Sequence, residues 1–302
     1  MGSDEYHVPV MLHRCIEGLN IKEDGIYADV TYGGGGHSKE IAARLTTGKV
    51  IAFDRDADAI RNSITTKNLI VIHANFSSIT EELNARGISA VDGLLADLGV
   101  SSHQFDEPER GFSFRFNSSL DMRMNVNDTM TAADVVNNFS EEELWKMFSL
   151  YGELRNSKSV ARAIVHSRNK KSIRTTFDLK NVVAHLAPKQ DESRFYAQLF
   201  QALRIVVNKE MHELESLLNQ LPGNIKSGGR ICIMSYHSLE DRMVKNFIAS
   251  GNVSGEMDKD LFGNITSKTF TAINKKPLEA DADEQQSNPR SRSARLRIAQ
   301  KI

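Results

Sequence analysis

Four groups of residues in the first hundred positions have the types and spacing of a site for a nucleoside-bearing cofactor. Asp29-Val-Thr-Tyr-Gly33-Gly-Gly-Gly36-His37 joins an acid to a glycine run, and Phe53-Asp54-Arg-Asp56, Asn75-Phe76 and Asp97 follow in order. Glycine lets the backbone approach a ligand closely, and an acid at the end of the next strand can accept hydrogen bonds from both hydroxyls of a ribose. A glycine run alone can be merely a flexible turn. Its register with Asp54, Phe76 and Asp97 is what makes it a site. A nicotinamide dinucleotide competes for such a crevice, but its G-x-G-x-x-G fingerprint, counted from Gly33, needs glycine where Ser38 stands. No Gly-Lys-Ser/Thr follows, so a Walker phosphate loop is excluded too. His37, taken by itself, reads as a polar cap at a helix start.

These groups need strands to bring them together. Residues 25–30, 49–54, 68–73 and 91–97 are short apolar runs separated by helical stretches near 38–45, 56–66 and 77–86, the rhythm of βαβ units in a doubly wound parallel sheet. All four groups then fall at carboxyl ends of strands. An S-adenosylmethionine site of the methyltransferase kind is the reading left standing. After Asp97 the strand rhythm stops. From Ser101 to about residue 195 the pattern is loops and amphipathic helices, including Ser140-Glu-Glu-Glu143, which has the form of a capping box. Phe195, Leu199, Leu203 and Val206 share a helix face, and Gly228–Ser235 reads as a fifth strand. The expected organisation is an α/β domain over 1–106 and 195–302, with a helical substrate-recognition domain inserted at 107–194.

Composition sets wide bounds. The 302 residues are 40% hydrophobic and 25% charged, with a formal net charge of -1, as expected for a globular protein. No 18-residue apolar run is present, so no membrane association is expected. The opening residues Met1 to His7 have neither a basic start nor an apolar stretch, so no secretory signal and a cytoplasmic location are expected. Cys15 and Cys232 lie far apart in apolar settings and suggest no disulfide. No group of His, Cys, Asp and Glu has zinc-ligand spacing, so no metal is expected.

Longer motifs carry a resemblance over nearly the whole chain. Tyr6-His7-Val-Pro9-Val10, the Gly33 to Ser38 cluster, Asp97-Leu-Gly-Val-Ser-Ser-His-Gln104, Gly111-Phe-Ser-Phe, Leu120-Asp-Met-Arg-Met124, Ser235-Tyr-His-Ser-Leu-Glu-Asp-Arg242 and Asn288–Arg297 together resemble the RsmH (MraW) methyltransferase family. The resemblance implies a Rossmann-like fold, S-adenosylmethionine as cofactor, and methylation of the exocyclic N4 amine of a decoding-centre cytosine in the 16S rRNA of the small ribosomal subunit. By motif it implies cofactor contacts at Gly35, Gly36, His37, Asp54, Phe76, Asp97 and Gln104. Two positions depart from the pattern: Tyr236 stands where phenylalanine is expected, and Asn117-Ser118-Ser119 replaces a Gly-Pro before Leu120.

Methylating carbon five of cytosine needs a nucleophilic cysteine, whereas an exocyclic nitrogen needs only in-line approach and an acceptor for its proton. Asp97 is the expected acceptor, with Ser235 and His237 brought toward the target base at the end of strand five. Leu98-Gly99-Val100 follows Asp97 where amino-methyltransferases generally carry Pro-Pro-aromatic. A stacking ring is therefore sought among Phe105, Phe112, Phe114 and Tyr236. Glu240 and Asp241 read as ordinary acids in a first helical turn. For RNA, Arg155, Lys158 and Arg162 are expected on one helix face, joined by Arg168, Lys170, Lys171 and Arg174, with Glu153 the one acid among them. Arg290, Arg292, Arg295, Arg297 and Lys301 form a second basic group, although Ala294, Leu296 and Ile298 also look like a terminal strand. Two other readings stay open: methylation of a different amine, and an RNA assembly factor that binds cofactor without turnover. A homodimer is an open option for oligomeric state.

Overall fold

The computed structural model describes residues 9–101, 104–105, 107–257, 260 and 267–302. The motif residues Tyr6, His7, Val8, Ser102 and His103 lie outside the described residues. The chain divides into two compact units, one running to Gly99 and resuming at Met211, the other Val100–Glu210.

The first unit is built on strands β1 (Ile26–Asp29), β2 (Lys49–Asp54), β3 (Leu69–His73), β4 (Val91–Asp97), β5 (Ile225–Ser235), β6 (Phe270–Ala272) and β7 (Arg295–Lys301). They pair in the order β3-β2-β1-β4-β5-β7-β6. The first five are mutually parallel, and β7 runs antiparallel to both β5 and β6. Strands buried on both faces read as continuous apolar runs, and alternate residues serve opposite cores. Val50, Ala52, Leu95, Cys232 and Met234 pack with helix α1 (Leu12–Leu19) and helix α2 (Gly36–Ala43). Ile51, Phe53, Leu94, Ala96, Ile231 and Ile233 belong to the other core. There they meet α4 (Ile79–Asn84), α10 (Glu210–Asn224) and α11 (Ser238–Ser250), the short α3 (Ala57–Arg61) having come between β2 and β3. This is the doubly wound α/β architecture expected. Because β1 lies between β2 and β4, the strand order reverses there, and sheets of this kind bind ligands at the carboxyl ends beside such a switch point.

The second unit is helical: α5 (Ala132–Asn138), α6 (Glu141–Leu150), α7 (Ser157–Arg168), α8 (Thr176–Val183) and α9 (Glu192–Val207). Three of them start with reciprocal capping boxes, Thr131 with Asp134, Ser140 with Glu143 and Thr175 with Asp178. Each box satisfies two backbone donors that a helix start leaves open. The expected junction at 195 falls inside α9, and the structure corrects it. Phe195, Leu199, Leu203 and Val207 pack into the core of the second unit with Leu144, Phe148 and Val160, so the chain returns to the sheet at 210/211. At the other junction, 106/107 becomes 99/100. A further helix, α10, leads into β5, with Leu214, Leu217, Leu218 and Leu221 buried. Leu120-Asp-Met-Arg-Met124 forms a structural knot: Leu120, Met122 and Met124 are buried, Arg123 grips Asp121 through two 2.7 Å bonds, and Asn208 donates to the Met122 carbonyl and accepts from the Met124 N–H.

The terminal segment is a strand, as one of its two readings had it. Arg297 on β7 is buried and reaches Asp241 of α11 by two bonds of 2.7 and 3.0 Å. Lys301 donates to the carbonyls of Pro222 and Ile225. Among the described residues no helix is long and apolar enough to cross a membrane. Removing one member of a buried ion pair strands the other charge. Asp241→Ala should therefore cost about 3–5 kcal/mol in urea unfolding, and a loss well under 1 kcal/mol would show that Arg297 is adequately solvated without its partner.

Candidate active site

The site is built at the carboxyl ends of β1, β2 and β4, where three carboxylates shape their own loops. Asp29, the last residue of β1, is fully buried; it accepts from the Thr31 N–H at 3.1 Å and from the Ser38 hydroxyl at 2.5 Å. That second bond ties β1 to the first turn of α2. It also gives a use to the serine that breaks the dinucleotide fingerprint. Asp54 ends β2 and accepts from the N–H groups of Gly33 (2.7 Å) and Asp56 (2.8 Å), so it fixes the start of the glycine turn. Asp97 ends β4. Its backbone N–H donates to Thr31 Oγ1 at 2.6 Å, and its carboxylate accepts from the Tyr236 hydroxyl at 2.7 Å.

The glycine turn is closed on one side and open on the other. Gly35 has φ +76, and a Cβ there would lie 2.5 Å from the Tyr32 ring. A Cβ on Gly36 would lie 2.1 Å from Pro9, so any side chain at the first residue of α2 displaces the segment before α1. Gly34 faces open space, leaving backbone that a ligand can approach. His37 is buried in the first turn of α2; its Nε2 donates to the Val10 carbonyl at 3.1 Å, and its Nδ1 stands 4.0 Å from Asp97. Phe76 opens a single 3₁₀ turn after β3, half-buried, with Asn75 capping the turn through the Ser77 N–H.

Burial dominates the electrostatics. It raises Asp29, and it pushes both Asp54 and Asp97 up to about 6 against the pull of their hydrogen-bond donors. His37 and Tyr236 pull Asp97 down; Asp29 and Glu240 push it up. The Asp97 side chain is still 23% exposed, so a ligand can reach it. Cys15 and Cys232 are fully buried, and burial raises both thiols. Neither offers a thiolate to a substrate.

Other expected site residues are engaged elsewhere. Ser235 is buried, its hydroxyl donating to the Arg295 carbonyl at 3.4 Å. His237 is the N-cap of α11, with Nδ1 accepting from the Glu240 N–H at 3.4 Å and Nε2 at 3.1 Å from the Glu240 carboxylate. Glu240 is correspondingly more than a helix-end charge. Its carboxylate also accepts from the Tyr236 N–H at 2.9 Å. Gln104 lies in the second unit, buried, accepting from the Ser101 N–H. Of the four rings considered for stacking, Phe112 is buried in the helical core, Phe114 packs on Tyr196 and Phe200, and Tyr236 is committed to Asp97. Phe105 is 38% exposed.

The basic stripe is also sorted. Arg155 precedes the N-cap Asn156 of α7, so it does not share a helix face with Lys158 and Arg162. Lys158 lies 4.3 Å from the Trp145 ring centre, Arg162 stands 3.7 Å from Glu141, and Lys171 stands 3.8 Å from Asp178, all near the surface. Lys170 is exposed, as is Arg292, with Arg290 half-buried. Arg168 is structural; it donates to the Val136 and Phe139 carbonyls at the end of α5.

Sequence reasoning missed Tyr236 as a donor and Thr31 as the acceptor for Asp97. Both stood inside quoted motifs, but no spacing rule links position 97 to 236. The raised carboxyls give a stability prediction. Asp97 binds its proton more tightly folded than unfolded, so its contribution is full below about pH 4 and is lost as pH rises through about 6. Asp97→Asn should gain stability relative to the parent chain over that interval and hold a constant advantage above about pH 7. Urea midpoints across pH would show this, and an advantage that shrinks with rising pH would contradict the burial argument.

Residues 4–302 match the model of the MraW methylase family. A protein of Cytophaga hutchinsonii named ribosomal RNA small subunit methyltransferase H is 51% identical over 98% of this chain and 99% of its own length. Proteins of the same name from Flavobacterium johnsoniae (50% identical, 99% and 98% covered) and Bacteroides thetaiotaomicron (49%, both chains fully covered) are similarly close. The chain belongs to the MraW methylase family.

Proposed function

We propose that this chain uses S-adenosylmethionine to methylate the exocyclic N4 amine of a decoding-centre cytosine in 16S rRNA of the small ribosomal subunit. The observation that carries the reading is the meeting of the glycine turn, Asp54 and Asp97 at three adjacent strand ends beside the switch point of the sheet. The names of the relatives supply the substrate class.

The residues fit the cofactor. Gly34 and Gly35 expose backbone, Asp54 keeps lone pairs beyond its two N–H bonds for ribose hydroxyls, and Phe76 gives an apolar surface for a base. When bound, S-adenosylmethionine supplies a sulfonium-activated methyl group. Everything else falls to the chain. The amine of cytosine is a weak nucleophile because its lone pair is shared with the ring. Asp97, charged above about pH 6, accepts an N–H from that amine and so favours the lone pair localised on nitrogen. With the methyl group taken up by nitrogen and the thioether as leaving group, Asp97 would receive the surplus proton of the amine and return it to solvent. No covalent activation of the ring is required, and the two buried thiols could not provide it. His37 holds the far side of the carboxylate, and Ser235 and His237 hold the backbone that carries Tyr236. In the second unit Lys158, Arg162, Lys170 and Lys171, with Arg155 beside them, are phosphate contacts; in the first, Arg290 and Arg292 serve the same role.

Small subunits from cells lacking the protein, incubated with it and labelled S-adenosylmethionine, should yield labelled N4-methylcytidine by nucleoside mass spectrometry. Label at a ring carbon, or in another nucleoside, would sink the N4 assignment. Replacing Lys170 and Lys171 together by alanine should lower affinity for the rRNA and reduce the log–log salt slope by about 1.5 to 2. An unchanged slope would remove both from the phosphate interface.

A further inference from the structure

We infer that Tyr236 is a positioning residue for Asp97: its hydroxyl aims the carboxylate and favours its charged form, a role that rests on Asp97 being the proton acceptor of the reaction. Tyr236 follows the last residue of β5, next to the end of β4, where Asp97 pairs with Met234. Its backbone N–H is held by Glu240 Oε2 at 2.9 Å. Its ring packs beside the α1-side core and over Gly99, whose φ of +110 and missing Cβ make the room; a Cβ there would stand 3.2 Å from the ring. With backbone and ring both fixed, the hydroxyl has one place to go, and it donates to Asp97 Oδ1 at 2.7 Å.

The consequence is directional. Oδ1 is occupied by Tyr236, Oδ2 faces His37 Nδ1 at 4.0 Å, and the remaining lone pairs are left for a substrate N–H. The groups acting on Asp97 from the elements around it are His37 on α2, Asp29 on β1, Tyr236 after β5 and Glu240 on α11, with the Cys15 thiol of α1, itself raised by burial, also within their field. Asp29 and Glu240 oppose its charge, so the nearby His37 ring and the donor Tyr236 keep the acid from rising further. Tyr236 suits the task because burial and the neighbouring Asp97 push its own ionisation well above the usual phenol range, so it stays a donor at every working pH. A phenylalanine would fill the same space and donate nothing.

The test is Tyr236→Phe on the full chain, with two readouts. Carbon-13 NMR of side-chain carboxyls, with Asp97→Asn for assignment, follows the titration of Asp97; single-turnover methylation of undermethylated small subunits gives the pH–rate profile. A hydrogen bond to a charged group is worth on the order of one pH unit or more. Both the Asp97 titration and the acid limb of the rate should therefore move up by about one unit. The rate should fall about fivefold near pH 6, approach about a tenfold loss below about pH 5, and stay within about twofold of the parent near pH 8.5. An Asp97 titration that does not move overturns the inference, and so does an equal rate loss at every pH. A titration that moves while the acid limb stays put keeps the Tyr236–Asp97 coupling but removes Asp97 from the reaction, so the two readings fail separately.

Discussion

Taking a carboxylate out of water costs several kcal/mol unless donors meet it, and the first unit sets three of them, one fully buried and two half-buried, at the carboxyl end of its sheet. Asp29, Asp54 and Asp97 each close a loop on their own donors: Asp29 on Thr31 and Ser38, Asp54 on Gly33 and Asp56, and Asp97 on Tyr236. The donors cannot move without exposing an unpaired charge to an apolar core. Loop shape at this edge is thus set by acids, and the glycines supply only the freedom to comply. The same carboxylates that hold the loops carry the spare lone pairs a ribose or an amine would use, so scaffold and proposed site are one set of atoms.

Cations in the chain serve the opposite need, ending elements whose carbonyls would otherwise be bare. Arg168 finishes α5, Lys301 finishes α10, and Arg110 donates to the Arg123 and Met124 carbonyls in the knot of the second unit. Arg297 neutralises Asp241 inside the sheet layer. A basic run in a sequence therefore divides into side chains that close the fold and side chains that remain at the surface for a polyanion. That division needs coordinates, because both kinds have the same spacing.

The elements that position the site were legible because their residues answer to local rules. Runs such as Lys49–Asp54 and Val91–Asp97 are mostly apolar and end in an acid, and the structure gives β2 and β4 those same bounds. Ser140 and Glu143 form the capping box their spacing implies. What escaped was long-range. The face of α9 that begins with Phe195 is apolar either way, and nothing in its period says which core it enters. The three-residue β6 is too short to show alternation. Asp241 looked like a helix-start acid because its partner, Arg297, is 56 residues away. Tyr236 looked like a ring for stacking, since a hydroxyl's partner cannot be read from its neighbours in sequence.

Strand β7 has a consequence for how the molecule is made. It sits between β5 and β6, yet both of those are synthesised before it. On the ribosome, β5 presents an open edge and β6 has no neighbour to pair with until residues 295–301 emerge. In the same late stretch, Glu284 accepts from the Met11 N–H beside Pro9 and Val10, the residues that wall the glycine turn. Vectorial synthesis thus delivers the walls of the glycine turn first, their Glu284 latch later, and β7 last. A nascent chain stalled before β7 carries every proposed ligand of the nucleoside in the first unit, together with an unsatisfied sheet edge open to other chains.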